Sequence, residues 1–537
     1  MLSNFLRHKI PIISFLILFV FLIFNALYAT YPDEFDNILG GKLILQGALP
    51  YHGFFSHHGP ISYFIAAVIN IFSGISFVKF RLVLAVFYFA ILTLIYYIFT
   101  RRIKILDFRY SLLFILALAV SMPFFWGQML LADTLSAYLL VPAYGLLLYK
   151  NFLSQKLETK DLWVISVFSS LAVLNSPTYL YAVGFLALFT LIYSRILKSF
   201  LLIFAIPYLI FGLYLLITGS LFDFLYQEVN YNKSYYIYNY PRPPGSTSFN
   251  PFRYMVIIMN NFINQYQPLM AGLKGTDWRF PMTASLAITN TVFWLYLLFK
   301  KKFLLLTFAF LIMVYVNARG NLGDVRASDY QMAVYFTLTL FNAVFLLYAI
   351  GREKSFAVLK TILVFTWFFA GTFLAADFWR LNYTRYMGEA PLIYDRPAVA
   401  PILNKLLTKN EYCWVGPFEF EEMYYTNCKL PSKYHWILPQ FAGIDKIKKE
   451  ILEDYQKNRP AIIVFRRDYS AFMQSAEYSR FFQNFLDSDY VQLPANWRFK
   501  DSKINDFNLN ENFNFRKDVA SVYVQKLVDL GYLYSPK

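Results

Sequence analysis

Apolar residues run along this chain in blocks rather than in the one-faced stripes of helices that pack on a soluble core. Ile10–Tyr28, Leu82–Phe99 and Phe200–Ile217 are long, nearly uncharged and apolar all round, the pattern of helices solvated by lipid. The hydropathy predicts spans near 10–29, 78–99, 108–126, 134–149, 161–175, 179–194, 199–218, 285–299, 303–317, 331–350 and 357–376. Basic residues punctuate alternate ends. Arg7 and Lys9 precede the first span, and Arg101, Arg102 and Lys104 follow the second. Lys150, Lys156 and Lys160 follow the fourth, Arg195 and Lys198 the sixth, Lys300–Lys302 the eighth, and Arg352 with Lys354 the tenth. The short opposite ends, such as Pro123–Asp133 and Asn175–Thr178, are nearly free of Lys and Arg. The positive-inside rule then puts the N-terminus in the cytoplasm, and eleven spans put the C-terminus outside. The first run, with Arg7 and Lys9 before it, is read as an uncleaved span rather than a signal peptide, because "ALYAT" is a poor cleavage site.

Three segments break the pattern. Ile61–Ser73 is apolar but only thirteen residues long, about 20 Å as a helix. That is too short for a hydrocarbon core of roughly 30 Å and suits a re-entrant or interfacial helix. Gly219–Ala284 is rich in Tyr, Asn and Pro around a Pro-Pro-Gly-Ser-Thr-Ser centre and is expected to be an irregular outer loop. From Asp377 to Lys537 the composition becomes that of a soluble domain. "EYCWVGPFEF" and "PAIIVFRRD" read as short buried strands, with the amphipathic helix "DKIKKEILEDYQKN" between them. The expected architecture is a polytopic α-helical membrane protein of about eleven spans (1–376), followed by a small extracytoplasmic α/β domain (377–537).

Composition fits that division. The 537 residues are 58% hydrophobic and 15% charged, with a mean hydropathy of +0.43. The net charge of +16 would suggest nucleic acid in a soluble protein. Here it belongs to the cytoplasmic anchors of the spans, and no nucleic-acid partner is expected. Two cysteines, Cys413 and Cys428, exclude a disulfide framework and a metal cluster. The outer compartment permits a bridge between them, although two reduced, buried cysteines are the simpler expectation.

The polar chemistry is concentrated in the first outer loop, "YPDEFDNILGGKLILQGALPYHGFFSHHGP" at 31–60, expected to turn at Gly40, Gly41 and Gly47. It holds Asp33, Glu34 and Asp36 and three of the five histidines, His52, His57 and His58. Carboxylates at the membrane surface lie in a lowered dielectric, which raises their basicity and suits a general base. Asp133, opening span four beside Thr134, is the sole charged residue between Arg109 and Lys150. Part of its role is expected to be N-capping. It lies on the same outer side as Asp33, so two acids are expected to face one outer cavity. Arg81 and Arg326 are the outer arginines suited to a phosphate. His57 and His58, being adjacent, do not share a helix face and make a poor metal pair.

The Asp33-Glu34 pair after span one, His58-Gly59-Pro60 leading into a short helix ending Phe72-Ser73-Gly74, and Arg81-Leu82 opening the next span resemble the membrane-embedded GT-C glycosyltransferases. The nearest branch is the protein mannosyltransferase, aminoarabinose transferase and lipopolysaccharide-core galacturonosyltransferase group. Asp133 in "LADTLSAYLLVP" matches that family's second outer acid. The pattern departs in two places. Gly59 stands where relatives have a proline, and Asp329-Tyr330 stands where they have His-Tyr, leaving Arg326 as the expected cation of that loop. The resemblance implies transfer of a sugar from a polyprenyl-phosphate donor to an envelope glycan, lipid or protein, at the outer face of a bacterial inner membrane. Asp33, with Glu34 and Asp133, would be catalytic. His57, His58, Arg81 and Arg326 would bind the donor phosphate, and the 219–284 loop and the C-terminal domain would select the acceptor. Some of these enzymes hold a divalent cation (Mg or Mn) with their outer acids and others do not, and Asp33 with Asp133 fits either case. A transporter or flippase of lipid-linked sugars is the rival from another class. Such proteins show internal repeats and polar residues deep within spans, and no convincing repeat is visible here. An inactive scaffold or sensor is a third alternative.

Overall fold

The structure is a computed structural model that describes residues 2–27, 30–102, 108–194, 197–236, 250–271, 279–316, 330–351, 358, 397–467, 478–494, 496–501, 503–504 and 507–534. The expected eleventh span apart from residue 358, the expected domain junction near 376, and Arg326 lie outside the described residues.

Every expected span up to residue 350 falls on a helix. These are α1 (Leu2–Asn25), α4 (Phe77–Arg102), α5 (Phe108–Ser121), α6 (Ala132–Phe152), α7 (Thr159–Asn175), α8 (Leu180–Ser194), α9 (Leu197–Ile217) and the helices Arg279–Phe299, Phe303–Tyr315 and Ala333–Gly351. Five helical stretches, Phe77–Arg102, Phe108–Phe125, Pro177–Ser194, Ser199–Ile217 and Tyr330–Gly351, are long and apolar enough to cross a membrane. Outward-facing side chains fit an apolar solvent: Leu209, Leu213 and Ile217 on α9 and Ile12 and Leu16 on α1 are more than half exposed. The centre is α6 and the 333–351 helix, both buried nearly throughout. There Tyr144 donates to Asn342 at 2.8 Å, Asn342 to Asn290 at 3.0 Å and Asn290 to Thr339 at 2.7 Å. Hydrogen bonds of this kind join helices where burial alone gives no preference between lipid and protein.

The two ends of the bundle differ in chemistry. Arg102 pairs with Glu158 at 3.7 Å, Lys150 with Asp161, and Lys302 lies over the Phe152 ring. The basic ends of α4, α6 and the 279–299 helix therefore lie together. At the opposite end Asn37 donates to the Leu130 carbonyl at 3.0 Å and Asn175 to that of Ala132 at 2.6 Å. The three basic ends, which the charges place on one side, thus lie together in space.

Residues 32–45, expected as part of a loop, form a helix, α2 (Pro32–Leu45). Pro32 occupies its first turn and Asp33 and Glu34 follow, an arrangement that suits the positive end of a helix dipole. Gly40 and Gly41 do not turn the chain. A Cβ on Gly41 would sit 2.6 Å from the Ala66 backbone, so the glycines admit close contact with α3 (Ile61–Ser73). Gly47, with φ +92°, provides the turn that follows. The short helix α3 has the expected bounds. Tyr63, Ala66 and Asn70 are buried against α2, while Val68, Ile71 and Phe72 are 56–72% exposed, as an interfacial helix requires. The 219–284 segment is more regular than expected. Leu225–Tyr236 is a π-helix and Pro251–Ala271 an α-helix, and its Pro-Pro-Gly-Ser-Thr-Ser centre lies outside the described residues.

The C-terminal region carries the expected strand–helix–strand unit. β1 (Cys413–Gly416) runs parallel to β2 (Ile462–Phe465), with the helix Asp445–Asn458 between them. β3 (Tyr490–Gln492) and β4 (Phe513–Arg516) complete a sheet of order β1-β2-β4-β3, in which β4 is antiparallel to both neighbours. Cys413 and Cys428 form a disulfide rather than two thiols, with Cα atoms 5.7 Å apart, within bridging reach.

This region docks on α2 and α3 through matched polar groups. The Lys42 amine donates to the carbonyls of Met423 and Tyr424, both at 3.0 Å, and of Thr426. These carbonyls close the C-terminal end of the 420–425 helix, the negative end of its dipole. Burial pulls the Lys42 ammonium down to about 7, and the carbonyls hold its proton against that pull. Tyr424 donates to the Gly74 carbonyl at 2.9 Å, and the Phe55 amide to that of Lys433 at 2.8 Å. Replacing Lys42 by Met removes the donor shared by three buried carbonyls, of which that of Met423 keeps the Thr426 hydroxyl at 2.9 Å, at roughly 2–4 kcal/mol. Lys42→Met is expected to lower the thermal unfolding midpoint in detergent and expose the C-terminal region to protease; an unchanged midpoint and digestion pattern would contradict this docking.

Candidate functional site

On α2 the Glu34 side chain is rotated by about 100° from Asp33, and that of Asp36 by about 60° in the opposite sense. Each therefore meets its own partner. Glu34 is fully buried and ion-paired with the equally buried Arg81, and its other oxygen accepts the Leu130 amide at 3.0 Å. Arg81 also donates to the Ala26 carbonyl at 2.9 Å. Burial pushes the Glu34 carboxyl above its usual range, and Arg81 and the Leu130 amide pull it back. Glu34 and Arg81 thus bind each other, and their position in the structure is that of a clamp joining α2, α4 and the end of α1.

Asp36 turns toward the C-terminal region. Its carboxylate meets His435 Nε2 at 2.8 Å and accepts from the Tyr63 hydroxyl at 2.9 Å. Tyr63 in turn receives a hydrogen bond from Ser56 at 3.1 Å, so the network runs from the C-terminal region through α2 and α3 into the His57-His58 loop. In the sequence Asp36 stands only as a third carboxylate of a segment expected as a loop, and no local signal marks its partners.

Asp33 is the half-buried member. The Tyr330 hydroxyl donates to it at 2.9 Å. Tyr31, Trp126 and Tyr330 form a wall of rings beside it, with centroids 4.9–6.0 Å apart. Asp133 is fully buried in the first turn of α6 and accepts from the Tyr179 hydroxyl at 2.6 Å. It is not the N-cap, a place held by Leu131, whose amide is met by the Thr134 hydroxyl at 3.2 Å. Asp133 belongs to the 126–134 segment, whose Trp126 ring stacks on the Tyr330 that donates to Asp33. Among the described residues no three of His, Cys, Asp and Glu gather to hold a metal ion, and these two carboxylates alone make an incomplete donor set.

His57 is buried, its ring 3.9 Å from that of His58 and 5.4 Å from Trp436. His58 is half-buried, and its carbonyl accepts from Tyr51 and Ser56, both at 3.0 Å. A Cβ on Gly59 would fall 1.9 Å from the Leu174 carbonyl oxygen, which accounts for glycine at this place. Beside it Ser62 donates to Asn175 at 2.7 Å, tying the loop to α7. The π-helix holds the same loop from the other side. Gln227 accepts the Ser56 amide at 2.8 Å and donates to the Tyr51 carbonyl at 2.7 Å, and Asn232 donates to the His57 carbonyl at 2.8 Å. The contacts thus join Asp33, Glu34, Arg81, Asp133 and the histidine loop into one connected assembly at one end of the bundle. Arg326 lies outside the described residues.

Compared with protein-family models and with curated proteins, the chain matches none.

The clamp and the half-buried acid respond differently to loss of charge. Glu34→Gln strands Arg81 without its counter-charge and is expected to cost roughly 3–5 kcal/mol, seen as a lowered unfolding midpoint and reduced yield in detergent. Asp33→Asn keeps an acceptor for Tyr330 and is expected to leave both unchanged. Equal stability losses in the two variants would contradict this division.

Proposed function

We propose that the chain is a GT-C-type glycosyltransferase that moves a sugar from a polyprenyl-phosphate donor to a cell-envelope acceptor. The observation that carries this is the environment of Asp33: a half-buried carboxylate held by Tyr330 beside a wall of three aromatic rings. Asp33 takes the proton of the acceptor hydroxyl as its oxygen attacks the anomeric carbon. Attack opposite the phosphate in a single displacement inverts that centre. The ring carbon gains positive character in the transition state, and aromatic faces favour a nearby cation. The departing lipid phosphate gains negative charge, which cations stabilise more in the transition state than in the ground state. His58 and Arg326 are the proposed partners of that phosphate, with His57 packed behind His58. Glu34 and Arg81 act here as positioning residues. Asp133, held by Tyr179, is the second acid of the site, and no step is assigned to a cation.

The apolar outer face of α3, with Val68, Ile71 and Phe72 exposed, supports a lipid chain beside the site. The C-terminal region and the 219–284 segment are the proposed acceptor selectors. A cavity of about 960 Å³ between the end of α2 and that region, lined by Gln46, His52, Asn427, Lys429 and Lys457 among others, supports that assignment. Eleven spans with the N-terminus inside and the C-terminus outside would place this assembly on the outer surface of a bacterial inner membrane.

In membranes supplied with a radiolabelled lipid-linked sugar pool, Asp33→Asn is expected to abolish transfer at unchanged protein level. Near-normal transfer would remove Asp33 as the base. A C-terminal alkaline phosphatase fusion is expected to be active and a green fluorescent protein fusion dark; the reverse pattern would refute an outside C-terminus.

A further inference from the structure

The π-helix carries an acid that the chemistry above does not use. Glu228 is 6% exposed, and among the described residues neither carboxyl oxygen has a hydrogen-bond partner. Buried carboxyls are ordinarily paired or hydrogen-bonded, because an unmet one is costly. Two further polar atoms are in the same condition: Oδ1 of Asn232, whose amide donates to the Glu228 carbonyl at 2.8 Å, and the hydroxyl of Tyr214 on α9, which like Glu228 lies within electrostatic reach of the Tyr51 phenol. The location is fixed by the neighbours. Gln227 and Asn232, on either side of Glu228 in sequence, hold the backbone of Tyr51, Ser56 and His57. The carboxyl lies close enough for its charge to act on the Tyr51 and Tyr63 phenols.

We propose that Glu228, with Asn232 and Tyr214, forms a subsite that recognises hydroxyl groups of the transferred sugar; this rests on the glycosyl-transfer reading of the adjacent His57-His58 loop. A sugar joined to a phosphate at that loop has its hydroxyls only a few bonds away. Each hydroxyl both donates and accepts, so it satisfies a carboxyl, an amide oxygen and a phenol that are otherwise unmet. A site built to hydrogen-bond a hydroxyl also rejects analogues that lack it, since its buried polar groups are then left without partners. Burial holds the Glu228 carboxyl well above its usual range. That burial favours the uncharged carboxyl, the form that donates as well as accepts. Irregular π-helical turns of this kind occur at functional sites.

Dicyclohexylcarbodiimide, an apolar reagent that forms a stable adduct on protonated carboxyls in water-poor surroundings, tests this on the full chain in detergent without requiring turnover. The expected result is an adduct on Glu228 at pH 7, located by mass spectrometry and absent in Glu228→Gln. Labelling should slow at least fivefold with some member of a panel of polyprenyl-phosphate hexoses and pentoses, and not with bare polyprenyl phosphate. No adduct at Glu228, protection by none of the panel, or equal protection by the bare lipid phosphate would each overturn the assignment. If the panel protects Glu228 and yet no variant or wild-type chain transfers sugar, the subsite stands and the transferase reading fails. If transfer occurs and Glu228→Ala leaves the donor KM unchanged rather than raised by about tenfold, the reverse holds.

Discussion

Glu34 and Arg81 meet with no exposed surface on either side chain, and the consequence of that contact is geometric. Two charges removed from water hold together only where geometry and further hydrogen bonds compensate their lost hydration, and here the Leu130 amide and the Ala26 carbonyl add such bonds. The pair fixes α2 in rotation and along its axis against α4, the 126–131 segment and the end of α1. With α2 so fixed, its other acids follow by helical rotation: Asp33 falls beside Tyr330 and the aromatic wall, and Asp36 faces His435. A clamp that can be broken at either charge thus determines where the half-buried carboxylate lies.

The C-terminal region depends on the same helix. Lys42 and Asp36 sit about one and two-thirds turns apart on α2 and receive the C-terminal region through carbonyls and an imidazole. Both are buried polar contacts, and buried polar groups are costly when unmet. They join residues separated by 381 to 399 positions in the chain. The exposed face of α3 is apolar while its buried face carries Tyr63 and Asn70, so the helix separates a greasy exterior from a polar network. A lipid-linked substrate has the same division, a chain on one side and a sugar phosphate on the other.

What was legible in the sequence follows from how local each signal is. Spans depend on composition averaged over about twenty residues, so α4, α8 and α9 could be read without knowing any contact. The bounds of α3 followed from its length, and the 445–458 helix from its amphipathic spacing. α2 was missed because its polar residues are not on a solvated face: Glu34, Asp36 and Lys42 are all buried, each against a partner far away in sequence, and no periodicity reports that. Its two glycines looked like turns because the close approach of Ala66 is a tertiary fact. The disulfide and the partners of Asp33 were hidden for the same reason. Asp33 and Asp133 were found as candidates because charges are rare in this chain. Glu228 was passed over because it sits in a tyrosine- and asparagine-rich segment that resembles a loop.

Mass analysis of envelope glycans and of the lipid-linked sugar pool, in cells with and without the chain, tests the central claim most directly. Sugar transfer from a polyprenyl-phosphate donor predicts that, without the chain, one lipid-linked sugar accumulates and one envelope component loses the mass of that sugar. Identical glycans and an identical lipid-linked pool in the two strains would contradict it.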